Sequence, residues 1–232
     1  LQHAAAEIHT LARDLLAQVL AAEQLTLIIS TLNDALTGRI IELERARHRL
    51  DDIEWCWLAF GSEGRYEQTI STDQDNGIVF ADNPQRTPDE TRARLLPFAQ
   101  AVNRTLDACG FPLCKGGIMA GNPLCCLSLA EWQAAFTDWI RNSTPEALTN
   151  AAIFFDFRAV WGVEALADRL RDWLLPTARA NSRFLHQMAV NALLMRPPLG
   201  LLQDFSTSGE GRDAGTLDLK AHGARLFVDA AA

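Results

Sequence analysis

The sequence predicts an α+β protein with a small mixed sheet between an N-terminal helical segment and a C-terminal helical bundle. Three observations predict it. Apolar residues recur at helical spacing over residues 1–48, short continuous apolar runs broken by Gly and Pro fill residues 54–128, and helical spacing returns from Pro145. The implied segments are 1–50, 51–142 and 143–232, in a chain whose 232 residues suit one large domain or two small ones.

In the first segment Ile8, Leu11, Leu15 and Val19, then Leu25, Ile28, Ile29, Leu32, Leu36 and Ile40, form apolar stripes with charges between them. No Gly or Pro interrupts before Gly38, so two or more long amphipathic helices are expected. Trp55-Cys56-Trp57-Leu58-Ala59-Phe60 then ends in Gly61-Ser62, the pattern of a buried strand followed by a tight turn. A helical stretch is expected over Glu63–Gln68, and Gly77–Phe80 gives a second strand. Thr87-Pro88-Asp89-Glu90 starts a helix, with a capping Thr, Pro at the first helical position and Glu three residues after the cap. That helix should run to about Cys109 and stop at Gly110. The Gly- and Pro-rich residues 111–128 hold short apolar runs at 113–114, 118–119 and 124–127, which predict one or two more strands. Ser128-Leu129-Ala130-Glu131 is a second capping box, opening a helix through Trp139 and Ile140. Beyond Pro145, Leu166, Leu170, Trp173 and Leu174 share one helical face, and Phe184, Met188, Leu193 and Leu194 another, until Pro197-Pro198. Residues 206–216 form a polar, glycine-rich loop whose length points to mobility.

Composition narrows the function classes. With 48% hydrophobic and 22% charged residues the chain is an ordinary globular one. Its net charge of −8 argues against a role coating nucleic acid through phosphates. No apolar run reaches the ~18 residues of a membrane span. Five cysteines without CxxC or ligand-spaced His read as free thiols in a reducing cytoplasm. The five histidines lack zinc-binding spacing. The six tryptophans sit in periodic apolar patterns and read as core. The chain opens at Leu1 within a helical pattern and ends in Ala230–Ala232, which reads as a piece of a longer polypeptide.

The chemistry is concentrated in residues 61–76. A strand ending in Gly61-Ser62 offers backbone amides and a hydroxyl to an anion such as a phosphate. Asp73 and Asp75 stand two apart at the start of the next strand, so alternation sends both carboxylates to one face. Two adjacent carboxylates repel unless a cation lies between them, and oxygen ligands of this kind suit Mg²⁺. A phosphate cradle beside such a pair is the layout for metal-assisted phosphoryl or nucleotidyl transfer.

The apolar strand, Gly-Ser, helix and Asp-x-Asp resemble the nucleotidyltransferase fold of the DNA polymerase β superfamily. More narrowly, Gly61-Ser62-x-Gly64-Arg65-x-Glu67-Gln68 through Thr72-Asp73-Gln74-Asp75-Asn76 is similar to nucleotidyltransferase domains that accompany CBS and cyclic-nucleotide-binding domains in bacterial signalling proteins. These are related to protein-PII uridylyltransferases and glutamine-synthetase adenylyltransferases. The likeness continues in Cys114–Pro123, Phe155–Arg158 and Leu217–Lys220.

The resemblance implies a nucleotidyltransferase-like sheet, and Mg²⁺ (or Mn²⁺) held by Asp73 and Asp75. It also implies an NTP substrate whose triphosphate meets Ser62, with Gly61 allowing close approach. Arg65 either reaches a phosphate or forms a structural pair with a carboxylate, and Glu67 reads as structural. The superfamily's third carboxylate is missing, because no acid occurs between Asp107 and Glu131. Cys114 and Lys115 fall at that place, and Lys115 is a phosphate-neutralising candidate. Asp156 either supplies the missing acid or pairs within the core, as with Arg158. Lys220 either approaches the triphosphate or is solvated. The implied reaction moves a nucleoside monophosphate from the NTP to a hydroxyl, a protein side chain being one acceptor. The alternative is an NTP-sensing module without turnover.

Overall fold

The computed structural model describes residues 1–18, 21–69, 73–194 and 216. Its elements are α1 (Gln2–Ala17), α2 (Ala22–Arg45), β1 (Trp55–Phe60), α3 (Gly61–Gly64), β2 (Asn76–Phe80), α4 (Pro88–Ala108), β3 (Cys126–Ser128), α5 (Leu129–Asn142), α6 (Pro145–Phe154), β4 (Phe157–Gly162), α7 (Glu164–Arg179) and α8 (Ser182–Leu194). This is the expected α+β arrangement of helices before and after a small mixed sheet. The chain forms two compact units. Leu1–Phe136 with Ile153–Leu175 makes the first, and Thr137–Ala152 with the described residues from Pro176 on makes the second.

The sheet of the first unit has the order β3-β2-β1-β4, with β2 and β4 antiparallel to β1 and β3 parallel to β2. All six residues of β1 are buried, because both faces of this central strand are covered. Alternation divides its side chains between the faces. Trp55 and Trp57 join Leu36, Ile40 and Ile41 of α2 and Leu95, Phe98 and Val102 of α4 in one core. Phe60 points the other way, its ring 4.8 Å from Phe154 and 5.7 Å from Trp132. Each such buried side chain contributes about 1.5–3 kcal/mol relative to exposure. Both expected capping boxes form. Thr87 Oγ1 accepts from the Glu90 amide while Glu90 Oε2 accepts from the Thr87 amide, and Ser128 and Glu131 exchange the same pair of bonds.

In the second unit, Thr144 Oγ1 accepts from the Ala147 amide at the start of α6, and Asn181 Oδ1 accepts from the Phe184 amide at the start of α8. Ile140, Leu148, Ala151 and Phe184 are buried. None of the described helices is long and apolar enough to cross a membrane.

The Gly- and Pro-rich stretch supplies one of its one or two expected strands, β3, while two elements differ from expectation. The helix expected through Gln68 is the single turn α3, because the chain adopts a left-handed conformation at Tyr66 (φ 60°). The runs at 113–114 and 118–119 form no strands. Gly117, at φ 71°, folds back so that its amide donates to the Cys114 carbonyl, turning the segment where a ladder would have continued. The sheet's fourth strand, β4, comes instead from a region read as helical. It lies at a sheet edge, is only partly buried and carries the charged Arg158, so it lacks the apolar run of a central strand. Pro197-Pro198, residues 206–215 and Leu217–Lys220 lie outside the described residues.

Candidate functional site

Because β1 and β2 are antiparallel, the C-terminal end of one meets the N-terminal end of the other. Ala59 pairs with Asn76, and the Phe60 amide donates to the Asp75 carbonyl at 2.9 Å. The chain after Phe60 therefore turns at Gly61 into Ser62 beside the residues that lead into β2. Gly61 adopts φ +52°, which a residue with a Cβ enters at a cost of about 1–2 kcal/mol. Ser62 is half-buried in a turn closed by the Arg65 amide on the Gly61 carbonyl and the Glu67 amide on the Ser62 carbonyl.

Residues 73–76 alternate between solvent and core. Gln74 and Asn76 are 1% and 2% exposed, whereas Asp73 is exposed and Asp75 half-buried. The inward pair is held by Asn103 of α4. Gln74 Nε2 donates to the carbonyls of Asn103 and Phe111, while Asn103 Nδ2 donates to Gln74 Oε1 and Asn76 Oδ1. The amides of Ala120 and Gly121 close the network on Asn76 Oδ1 and Asn103 Oδ1. Each buried polar atom named here has a partner, so the network fixes the backbone rather than penalising it. The outward side chains are the two carboxylates.

The 112–118 segment runs beside this stretch, the Gln74 amide donating to Pro112 and the Asn76 amide to Ile118. Its turn carries Cys114 to the acids. One oxygen each of Asp73 and Asp75 and the sulfur of Cys114 lie within 4.8 Å of one another. That is a donor set able to surround one small divalent cation, which would relieve the repulsion of the paired carboxylates. Burial, then a hydrogen bond to Ile118, then one to Asp75, act on the Cys114 thiol, with a net upward shift.

Around the turn of α3 lies a set of ion pairs. Arg65 donates to Glu67 at 2.9 Å and to Asp156 at 2.5 Å. Arg158 forms a two-pronged pair with Asp34 of α2 at 2.7 and 2.9 Å, donates to the Glu63 carbonyl and covers the Tyr66 ring at 4.0 Å. Asp156 is thus joined to Arg65 and Arg158 to Asp34, rather than to each other. Glu63 accepts from Gln68 at 2.7 Å, and Gln68 in turn from Asn33. Burial, reinforced by the charge of Asp75, pushes the Glu63 carboxyl up to about 8 against the opposing pull of Arg158 and Gln68. Lys115 is exposed beside Cys114, and Lys220 lies outside the described residues.

The structure therefore brings Asp73, Asp75 and Cys114 together at the sheet end that carries Gly61 and Ser62, and pairs Arg65, just after α3, with Asp156, just before β4. Sequence reasoning missed Asn103, whose only signal was a polar residue at an otherwise apolar helical position, and Asp34, whose helical neighbours Ser30, Thr31, Thr37 and Gly38 offer no apolar contrast. It noted Cys114 only as standing where an acid was expected.

Two family matches accompany this geometry. Residues 6–146 match the family described as "Putative nucleotidyltransferase DUF294", and residues 182–231 match "Putative nucleotidyltransferase substrate binding domain". No curated protein matches the sequence. The first match spans more than half of the chain and contains every site element on the sheet up to α5, so the chain belongs to the DUF294 nucleotidyltransferase family.

Proposed function

We propose that this protein is a divalent-cation-dependent nucleotidyltransferase that moves a nucleoside monophosphate from an NTP to a hydroxyl acceptor and releases pyrophosphate. The observation that carries the reading is the convergence of the Asp73 and Asp75 carboxylates at the strand end shared with Ser62. In this reading Asp73 and Asp75 hold Mg²⁺ or Mn²⁺, which supplies Lewis-acid stabilisation of the charge that develops on the phosphates. Ser62 and the amides around Gly61 bind the triphosphate, and exposed Lys115 adds positive charge. Arg65 orders this turn through Asp156, whose role is then to position Arg65. The acceptor hydroxyl attacks the α-phosphorus and loses its proton to solvent, the bond from that phosphorus to the bridging oxygen breaks, and pyrophosphate carries away the charge.

The kinship suggested by the sequence to protein-PII uridylyltransferases makes a protein hydroxyl the first acceptor to test. The segment 143–232 is the proposed acceptor-binding part. A cytoplasmic signalling protein that also carries CBS and cyclic-nucleotide-binding domains is the proposed setting. The test is incubation with α-labelled NTPs, Mg²⁺ or Mn²⁺ and hydroxyl-bearing proteins, reading label transfer and pyrophosphate. A second reading, NTP sensing without turnover, is favoured by one observation: a thiol rather than a third carboxylate completes the acidic cluster. Nucleotide binding with neither label transfer nor pyrophosphate release would support it over catalysis.

A further inference from the structure

The proposed function leaves open what the sulfur beside the two carboxylates does. The sequence has no acid between Asp107 and Glu131, so the segment that packs along residues 74–76 has no carboxylate to offer. What it offers is Cys114. The position of this residue is set by backbone hydrogen bonds on either side, from Gln74 to Pro112 and from Asn76 to Ile118, and by the turn bond from Gly117 to Cys114 itself. The two flanking donors are the residues that alternate with Asp73 and Asp75, so sulfur and carboxylates share one backbone frame. The other four cysteines, Cys56, Cys109, Cys125 and Cys126, are buried.

Resting on the reading of Asp73 and Asp75 as metal ligands, we propose that Cys114 Sγ is the third protein ligand of that cation and sets its selectivity, favouring thiophilic divalent ions such as Zn²⁺, Co²⁺ and Cd²⁺ over Mg²⁺. The chemistry follows from the donor set. Mg²⁺ takes oxygen ligands in octahedral geometry and keeps waters, so it gains from the two carboxylates and little from sulfur. A borderline or soft ion gains a metal–sulfur bond in addition. On binding, the thiol proton passes to solvent and a sulfur lone pair to the metal, with no change of oxidation state.

The test is titration of metal-free full chain with Co²⁺, following the thiolate-to-cobalt charge-transfer absorption, with competition by Zn²⁺ and Mg²⁺. It is run on wild type, Cys114→Ser and the double variant Asp73→Asn/Asp75→Asn. The expected result is a charge-transfer band in wild type that is absent in Cys114→Ser. Zn²⁺ affinity should fall about tenfold or more in Cys114→Ser while Mg²⁺ affinity changes by less than about twofold. Circular dichroism of Cys114→Ser is expected to match wild type. Cobalt bound through the aspartates without the band, or a band that survives in Cys114→Ser, overturns the inference and leaves the nucleotidyltransferase reading standing. Failure of wild type to bind any of the three ions overturns both.

Discussion

Asn103 and Gln74 bond to each other in both directions: Asn103 Nδ2 donates to Gln74 Oε1 at 2.8 Å, and Gln74 Nε2 donates to the Asn103 carbonyl at 3.0 Å. The pair anchors the middle residue of Asp73-Gln74-Asp75 to α4. With that residue drawn into the core, extended-chain alternation leaves the two aspartates to project together. A helix residue with no chemistry of its own thereby sets the direction of the carboxylates.

Asn103→Leu is expected to destabilise the protein by about 3 kcal/mol, since it strands the buried Gln74 Oε1 and the Gly121 amide without their partner. Urea denaturation measures this. Under conditions where the variant remains folded, its affinity for divalent cations should also fall, because the aspartates lose their common frame.

Gly64→Ala should cost about 2–3 kcal/mol. A Cβ there would lie 2.2 Å from the Asp156 carbonyl oxygen and 3.3 Å from that of Ala59, both backbone atoms that cannot swing aside. Gly61→Ala has open space, its nearest neighbour being 3.9 Å away, and should cost only the left-handed conformation, about 1–2 kcal/mol. Thermal denaturation of the two variants should rank them in that order.

Arg158→Met removes both bonds to Asp34 and leaves that carboxylate facing the fold without its cation. The expected loss is about 3 kcal/mol by chemical denaturation. Arg158→Lys should recover only a small part, because an ammonium cannot replace the two-pronged guanidinium.

Acid sensitivity should centre in part on Asp52. Hydrogen bonds from Arg94, then from Arg86, hold its carboxyl well below the usual carboxylate range. The folded state then binds fewer protons than the unfolded one, so the contribution is present above the unfolded value of about 3.9 and is lost as pH falls through the lower folded value. The difference in melting temperature between wild type and Asp52→Asn should be small but measurable near neutral pH and should shrink progressively below about pH 4. The carboxylate is half-exposed, which keeps the effect modest.

The elements with local signals were legible. Both capping boxes lie where Thr87 and Ser128 announce them, and the continuous apolar run Trp55–Phe60 marks the central strand. The pairing of Asp73 with Asp75 on one face could be argued from a two-residue period. What escaped notice depends on contacts distant in sequence. Strand β4 is held by its antiparallel pairing with β1, 97 to 106 residues away in the register pairs Phe60–Phe157 and Cys56–Gly162, and no local pattern announces such a partner. The inward role of Gln74 depends on Asn103, and the position of Cys114 on a turn fastened to Gln74 and Asn76. Polar residues that satisfy one another in a core look in sequence like polar residues that face water.

Binding of Mn²⁺ in the presence of a non-hydrolysable NTP, compared between wild type and Asp73→Asn/Asp75→Asn, decides whether these two carboxylates hold the metal. Wild type is expected to bind the metal–nucleotide pair. The double variant is expected to melt within a few degrees of wild type and to lose affinity by about tenfold or more, since carboxylate charge sets affinity for such ions. A well-folded double variant that retains full affinity would mean that Asp73 and Asp75 are not the metal ligands.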